Sequence, residues 1–172
     1  MSSRVATALL RHGRVAQAAG MLDSIRARVT PGNNMERAHM LLAAGELSRA
    51  RGAPDSARAM VEAAAVLDSS AEVFGTMASM RASAGDLRGA IDVEHRLREN
   101  QANVGYEAQF EWSLARYRLG QLHERLGQNA EARKEYETFL SEWADADQTL
   151  PVIVDTRARL KKLLALQPKR ES

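Results

Sequence analysis

Four histidines, His12, His39, His95 and His123, are the side chains best suited to moving protons or holding a metal near neutral pH. None stands four residues from another and none belongs to a His-Glu-x-x-His motif, so no helix face offers a ligand pair. Asp145-Ala146-Asp147 has two carboxylates at calcium-loop spacing, but the glycine and the closing glutamate of such a loop are missing. A helix-end turn accounts for the pair. A kinase would need a glycine-rich phosphate loop, a strand lysine and His-Arg-Asp and Asp-Phe-Gly motifs, and none is present. Neither a Gly-x-Ser-x-Gly elbow nor a dinucleotide fingerprint occurs. With no cysteine, disulfides and thiolate metal sites are also excluded. The expectation is a protein that is not an enzyme and has no cofactor. Trp112 and Trp143 suit a partner interface, because tryptophan brings a large area at small entropic cost, although internal packing explains them better. Arg157, Arg159, Lys161 and Lys162 could meet acidic lipid or nucleic acid. They fall late in an apolar-periodic stretch, where cations offset a helix dipole, and read as a solvated face.

The elements that carry these residues are helical. The chain has 172 residues, 45% hydrophobic and 5% aromatic, which supports a core of ordinary domain size. Ala, Leu, Arg, Glu and Gln dominate, apolar residues recur at three- and four-residue steps, and no segment alternates like a strand. Lys and Arg total 24 against 22 acids, interspersed, so neither a nucleic-acid surface nor membrane insertion is expected. The cytoplasm is the favoured compartment, with the periplasm an alternative should an upstream membrane segment exist. An excess of arginine over lysine together with abundant alanine points to a bacterial source.

Within this all-α pattern four glycines set a phase: Gly13, Gly52, Gly85 and Gly127. Each is followed five residues later by alanine, at Ala18, Ala57, Ala90 and Ala132, and preceded seven residues earlier by a small residue, at Ala6, Gly45, Ala78 and Gly120. Nine residues after the glycines come Leu22, Val61, Glu94 and Tyr136; twelve after them come Ile25, Ala64, Leu97 and Phe139. Two antiparallel helices joined by a tight turn approach closely only where side chains are small, and the larger apolar positions must then bury against the next pair. A stack of helix pairs follows.

These positions resemble the tetratricopeptide repeat (TPR) family over almost the whole chain. The fourth copy is nearest to the pattern, with Tyr117-Arg118-Leu119-Gly120, Gly127-Gln128, Ala130-Glu131-Ala132, Tyr136 and Phe139. The third departs at Arg81 and Glu94, where the family carries larger apolar or aromatic residues. The resemblance implies an α-solenoid of about four antiparallel pairs, at about 1–33, 38–71, 71–104 and 105–146, closed by a capping helix at about 151–166. Intervals of 39, 33 and 42 residues between the turn glycines depart from a strict repeat. A longer loop around Pro31-Gly32-Asn33-Asn34 accounts for the first, and a helix extended from Tyr106 to Leu126 for the last. The short first helix suggests a fragment of a longer protein. The stretch from Ala115 to Leu164 also resembles the last repeat and cap of regions that follow bacterial eukaryotic-like Ser/Thr kinase domains.

The family implies that the first helix of each pair lines a concave groove for a protein or peptide. The groove candidates in this register are His39, Leu42, Glu46, Arg49, Ser79, Tyr117, Gln121 and Glu124, with Ser3, Thr7, Gly75, Ala82 and Leu114 beside them. Members that grip the carboxylate end of chaperone tails use Lys, Arg and Asn where this chain has Ser3, Thr7 and Ala43, so that role is not expected. Self-association as a scaffold, and sensing of a short peptide or small molecule, are the alternatives.

Overall fold

A computed structural model describes residues 3–100 and 109–166. Among the described residues nine α-helices follow one another with no strand: α1 Ser3–Arg11, α2 Val15–Arg26, α3 Asn34–Ala50, α4 Pro54–Leu67, α5 Ala71–Ser83, α6 Leu87–Glu99, α7 Gln109–Arg125, α8 Asn129–Glu142 and α9 Pro151–Ala165. The all-α fold class expected above is the one observed. Residues 27–33 take up the long first interval, and Asn33 ends them by accepting the backbone N–H of Glu36 on its side chain as the N-cap of α3. The expected extension of α7 toward Tyr106 lies outside the described residues before Gln109, as do the expected repeat boundaries near 104 and 105.

One turn is used four times. Gly13, Gly52, Gly85 and Gly127 all have positive φ, from 71° to 85°. In each turn the glycine N–H bonds back three residues and the next N–H bonds back five, as in Gly127 to Glu124 at 3.0 Å and Gln128 to His123 at 2.9 Å. This pairing satisfies carbonyls that the helix end leaves open and needs the left-handed conformation that glycine adopts without strain.

Inside each pair the small residues decide the approach. A Cβ on Gly45 would lie 3.0 Å from Val61 Cγ2 and 3.2 Å from the carbonyl oxygen of Ala57. A Cβ on Gly120 would enter the ring of Tyr136, 2.6 Å from Cδ1. In the fourth pair the glycine therefore faces an aromatic ring, so the close approach there sets a small residue on one helix against a large one on the other. Tyr136 and Phe139 are fully buried, each contributing about 3 kcal/mol of apolar burial at most.

Between pairs, the first helices lie side by side, α1 on α3, α3 on α5 and α5 on α7, while each second helix packs on the next first helix. No comparable packing joins α2 to α4, α4 to α6 or α6 to α8. First helices thus form the tighter, inner layer. The last helix, α9, packs on α8 and buries Ile153, Thr156 and Leu163.

Candidate functional site

Helices α5, α7 and α9, with one residue of α6, line a cleft of about 510 Å³, formed by Ala78, Ser79, Ala82 and Ser83 of α5, Glu94 of α6, Arg118, Gln121, Leu122 and Arg125 of α7, and Arg159 of α9. Glu124 also borders it. Of the eight groove candidates, Ser79, Gln121 and Glu124 meet here, with Ala82 beside them.

At the cleft Gln121, Glu124 and Arg159 are tied together through Tyr117, Tyr136 and Asp155. Tyr117 Oη donates to Asp155 at 2.7 Å and accepts from Gln121 Nε2 at 2.7 Å. Arg159 bridges Asp155 at 2.5 Å and Glu124 at 2.8 Å, and Glu124 also accepts from Tyr136 Oη at 2.5 Å. These bonds join α7, α8 and α9. Burial, reinforced by the carboxylate acceptors, raises the phenol pKa of both Tyr117 and Tyr136. At Asp155 partial burial opposes ionisation, but the bonds from Arg159 and Tyr117 outweigh it and hold its carboxyl low.

A second network lies at the back of the cleft. Glu94 is fully buried, and Arg118 clasps it in a fork with Nε at 2.5 Å and Nη2 at 3.0 Å. Arg118 also reaches Glu111, side chain at 2.9 Å and backbone carbonyl at 2.8 Å. Gly75 makes room for this: a Cβ there would stand 3.1 Å from Glu111 Oε2. Burial raises the Glu94 pKa against the pull of Arg118, whereas Arg118, also penalised by burial, is held charged by its acids. The acid that departs from the repeat pattern is thus half of a buried ion pair. The other departure in the third copy, Arg81, pairs with Glu62 at 3.4 Å and Asp86 at 3.6 Å.

The remaining candidates lie elsewhere. Leu42, expected on the groove, is buried in the core beside Val61 and Phe74, because α3 is covered by α4 and α5 along that side. Tyr117, Gln121 and Glu124, given above as groove candidates, carry the α7–α9 network; α9 comes close enough to engage them, which spacing alone does not reveal. Arg159, expected to be solvated, is the hub of that network. Glu46 and Arg49 form a local pair at 2.7 Å on α3, and His39 Nε2 sits 3.6 Å from Glu72. The tryptophans pack internally: Trp112 Nε1 donates to the Arg98 carbonyl at 3.2 Å beneath the Arg98 guanidinium, and Trp143 lies 5.2 Å from the Phe139 ring. Asp147 closes a turn by accepting the N–H and hydroxyl of Thr149. Among the described residues no group of three or more His, Asp or Glu could hold a metal. No helix there is long and apolar enough to cross a membrane.

Glu94, Arg118 and Arg125 were missed by the sequence reading. The signal for the first two was the acid at a position apolar in the other three copies, since a buried carboxylate requires a buried cation.

No family model and no curated protein matches the chain. Solved structures do resemble it. The nearly identical TPR-like repeats of a Podosopora anserina protein described as a kinesin light chain superpose with a TM-score of 0.73, at 15% identity, over 95% of this chain and 83% of that one. MamA superposes at 0.58, with 20% identity, over 94% and 93%. The fold is TPR-like. At these identities the likeness speaks for the helix-pair solenoid and leaves the ligand to the side chains of this chain.

Proposed function

We propose that the chain is a non-catalytic protein-interaction module that holds an extended partner segment along the face lined by α3, α5 and α7. The observation that carries this reading is the cleft on the inner layer, where Ser79, Gln121 and Glu124 are presented by helices braced against one another. Bracing before binding lowers the ordering cost of association, so a modest contact area can still give useful affinity. The face is polar and mixed rather than broadly apolar, which suits a peptide backbone more than another domain's core. The likeness of Ala115–Leu164 to regions following bacterial Ser/Thr kinase domains supports placing the module in a larger bacterial regulator.

The test is a pull-down from the source cell with the whole chain, repeated with Arg49→Ala and Gln121→Ala, followed by calorimetry on the captured partner. Loss of binding with retained helicity supports the groove. Undiminished binding by both variants moves the interface to the second helices or to self-association.

A further inference from the structure

We infer that the outer side of α9 is a peripheral docking face for an anionic lipid bilayer, a role independent of the groove. The helix is mounted from behind. Ile153, Thr156 and Leu163 are buried where α9 packs on α8, and Asp155 and Arg159 are drawn toward α7 by Tyr117 and Glu124. Steps of four, three and four residues then carry Val154, Ala158, Lys161 and Ala165 along the free side, all of them exposed. Arg157 and Leu164 border this stripe on one flank and Lys162 on the other.

Two properties single out the face. Among the described residues seven large hydrophobics are exposed, and three of them, Val154, Leu164 and Leu166, fall on α9 and its C-cap. The other four, Val5, Met35, Val66 and Phe110, stand on four different helices. The cations of α9 are also uncommitted: Lys161 and Lys162 have no ion pair among the described residues, and Arg157 bonds the neutral Gln148. Asp155, the one acid of the helix, is already held by Arg159. Along the sequence Lys and Arg number six against two acids in 151–172, but twelve against eighteen in 46–150. Residues 1–45 are as basic, six against two, yet no helix there carries two exposed large hydrophobics among the described residues.

Cations alone would suit any polyanion. Apolar side chains set between them suit a surface where acyl chains lie just beneath phosphate groups. The lysine stems extend beside the stripe and place their charge at headgroup level, while Val154 and Leu164 enter the acyl boundary. The same negative surface repels the acidic middle of the chain, which turns α9 rather than the central helices toward the lipid.

The experiment sediments the whole chain with vesicles of phosphatidylcholine alone and with vesicles that also contain phosphatidylserine. Binding only where phosphatidylserine is present, falling with added salt, is the expected result. Lys161→Gln with Lys162→Gln should lower partitioning roughly tenfold, whereas Lys161→Arg with Lys162→Arg should bind as the parent does. Val154→Ser with Leu164→Ser keeps every charge and should still weaken binding, with the helical spectrum unchanged. No binding, equal binding to both kinds of vesicle, or full binding by the serine pair each overturns the inference. Tighter binding to duplex DNA than to the phosphatidylserine vesicles overturns it too, and assigns the cations to nucleic acid. Arg49→Ala and Gln121→Ala should leave vesicle binding unchanged, so this inference and the groove reading stand or fall separately.

Discussion

The first two helix pairs and the last two are built to the same plan and held together by different chemistry. In α1–α4 the described buried residues are all apolar and rich in alanine, with Ala6, Ala18, Ala38, Ala43, Ala44, Ala57 and Ala64 beside the aliphatic Leu22, Ile25, Leu42, Leu47 and Val61. In α5–α9 the core includes Tyr136 and Phe139, and the two buried polar residues among those described, Glu94 and Thr156, are found there. Backbones packed on alanine approach closely but specify little, whereas an ion pair and hydroxyls that must find partners admit few alternative registers. The C-terminal half therefore presents a face fixed by hydrogen bonds. The N-terminal half presents one whose charged residues, Glu46 and Arg49, answer only to each other.

The contrast breaks most visibly at Glu94. Replacing it with alanine leaves Arg118 facing a desolvated space with only Glu111 to answer it, and should cost about 3 kcal/mol in urea denaturation. The joint exchange Glu94→Leu with Arg118→Met should recover most of that loss, because the pair's attraction is set against two desolvations. If the single variant were as stable as the parent, the pair would be no more than a surface bridge, and the two halves would not differ in kind.

A second comparison sets Gly120 against Gly45. Either exchange to alanine gains about 1 kcal/mol of helix propensity. At Gly120 the new methyl meets a ring that is wholly enclosed, and overpacking of about 3 kcal/mol leaves a net loss of about 2. At Gly45 the nearest atom is a valine methyl at 3.0 Å that can give by a few tenths of an ångström, so the net change stays within about 1 kcal/mol. Denaturation midpoints of the two variants check the order.

Tyr117 and Tyr136 carry the contrast into pH. Their folded pKa values lie above the ordinary 10.0, so the stability they contribute is complete below pH 10.0 and is lost as pH rises through the folded values. Tyrosinate absorbance followed from about pH 9 to about 12 should show both phenols ionising only together with loss of helicity. Early ionisation with intact helicity would show the hydroxyls to be open to solvent.

The solenoid was legible because its determinants are local: a glycine in each turn, an alanine five residues on, a small residue seven before. Each acts within one helix pair, and spacing along the chain reports it. The site was legible only in part. Register puts Ser79, Gln121 and Glu124 together and all three line the cleft, but the duties of Tyr117, Gln121 and Glu124 depend on α9, which follows the irregular segment 143–150. There Gln148 caps the end of α8 by donating to the carbonyls of Trp143, Ala144 and Ala146. Leu42 was misplaced for a related reason. The position faces the neighbouring pair, and how far α5 covers α3 is not written in the period of either helix.

The smallest expected effect is the most useful for the groove. Arg49 is more than half exposed and pairs only with Glu46, one turn earlier on the same helix. Such pairs contribute at most about 0.5 kcal/mol, so Arg49→Ala should leave the denaturation midpoint nearly unchanged. Tyr117→Phe keeps the ring against Tyr136 and Phe139 but removes the donor to Asp155 and the acceptor of Gln121, and should cost about 1 kcal/mol. The two residues sit on the same inner layer, yet only one is free to be spent on a partner. A binding defect in Arg49→Ala can be read directly as a lost contact. A defect in Tyr117→Phe must first be corrected for the looser seat of α9, which also carries Arg159 at the cleft. If Arg49→Ala destabilised the chain as much as Tyr117→Phe, the N-terminal half would hold polar bracing of its own. The separation between a small-residue half and a hydrogen-bonded half would then have to be given up.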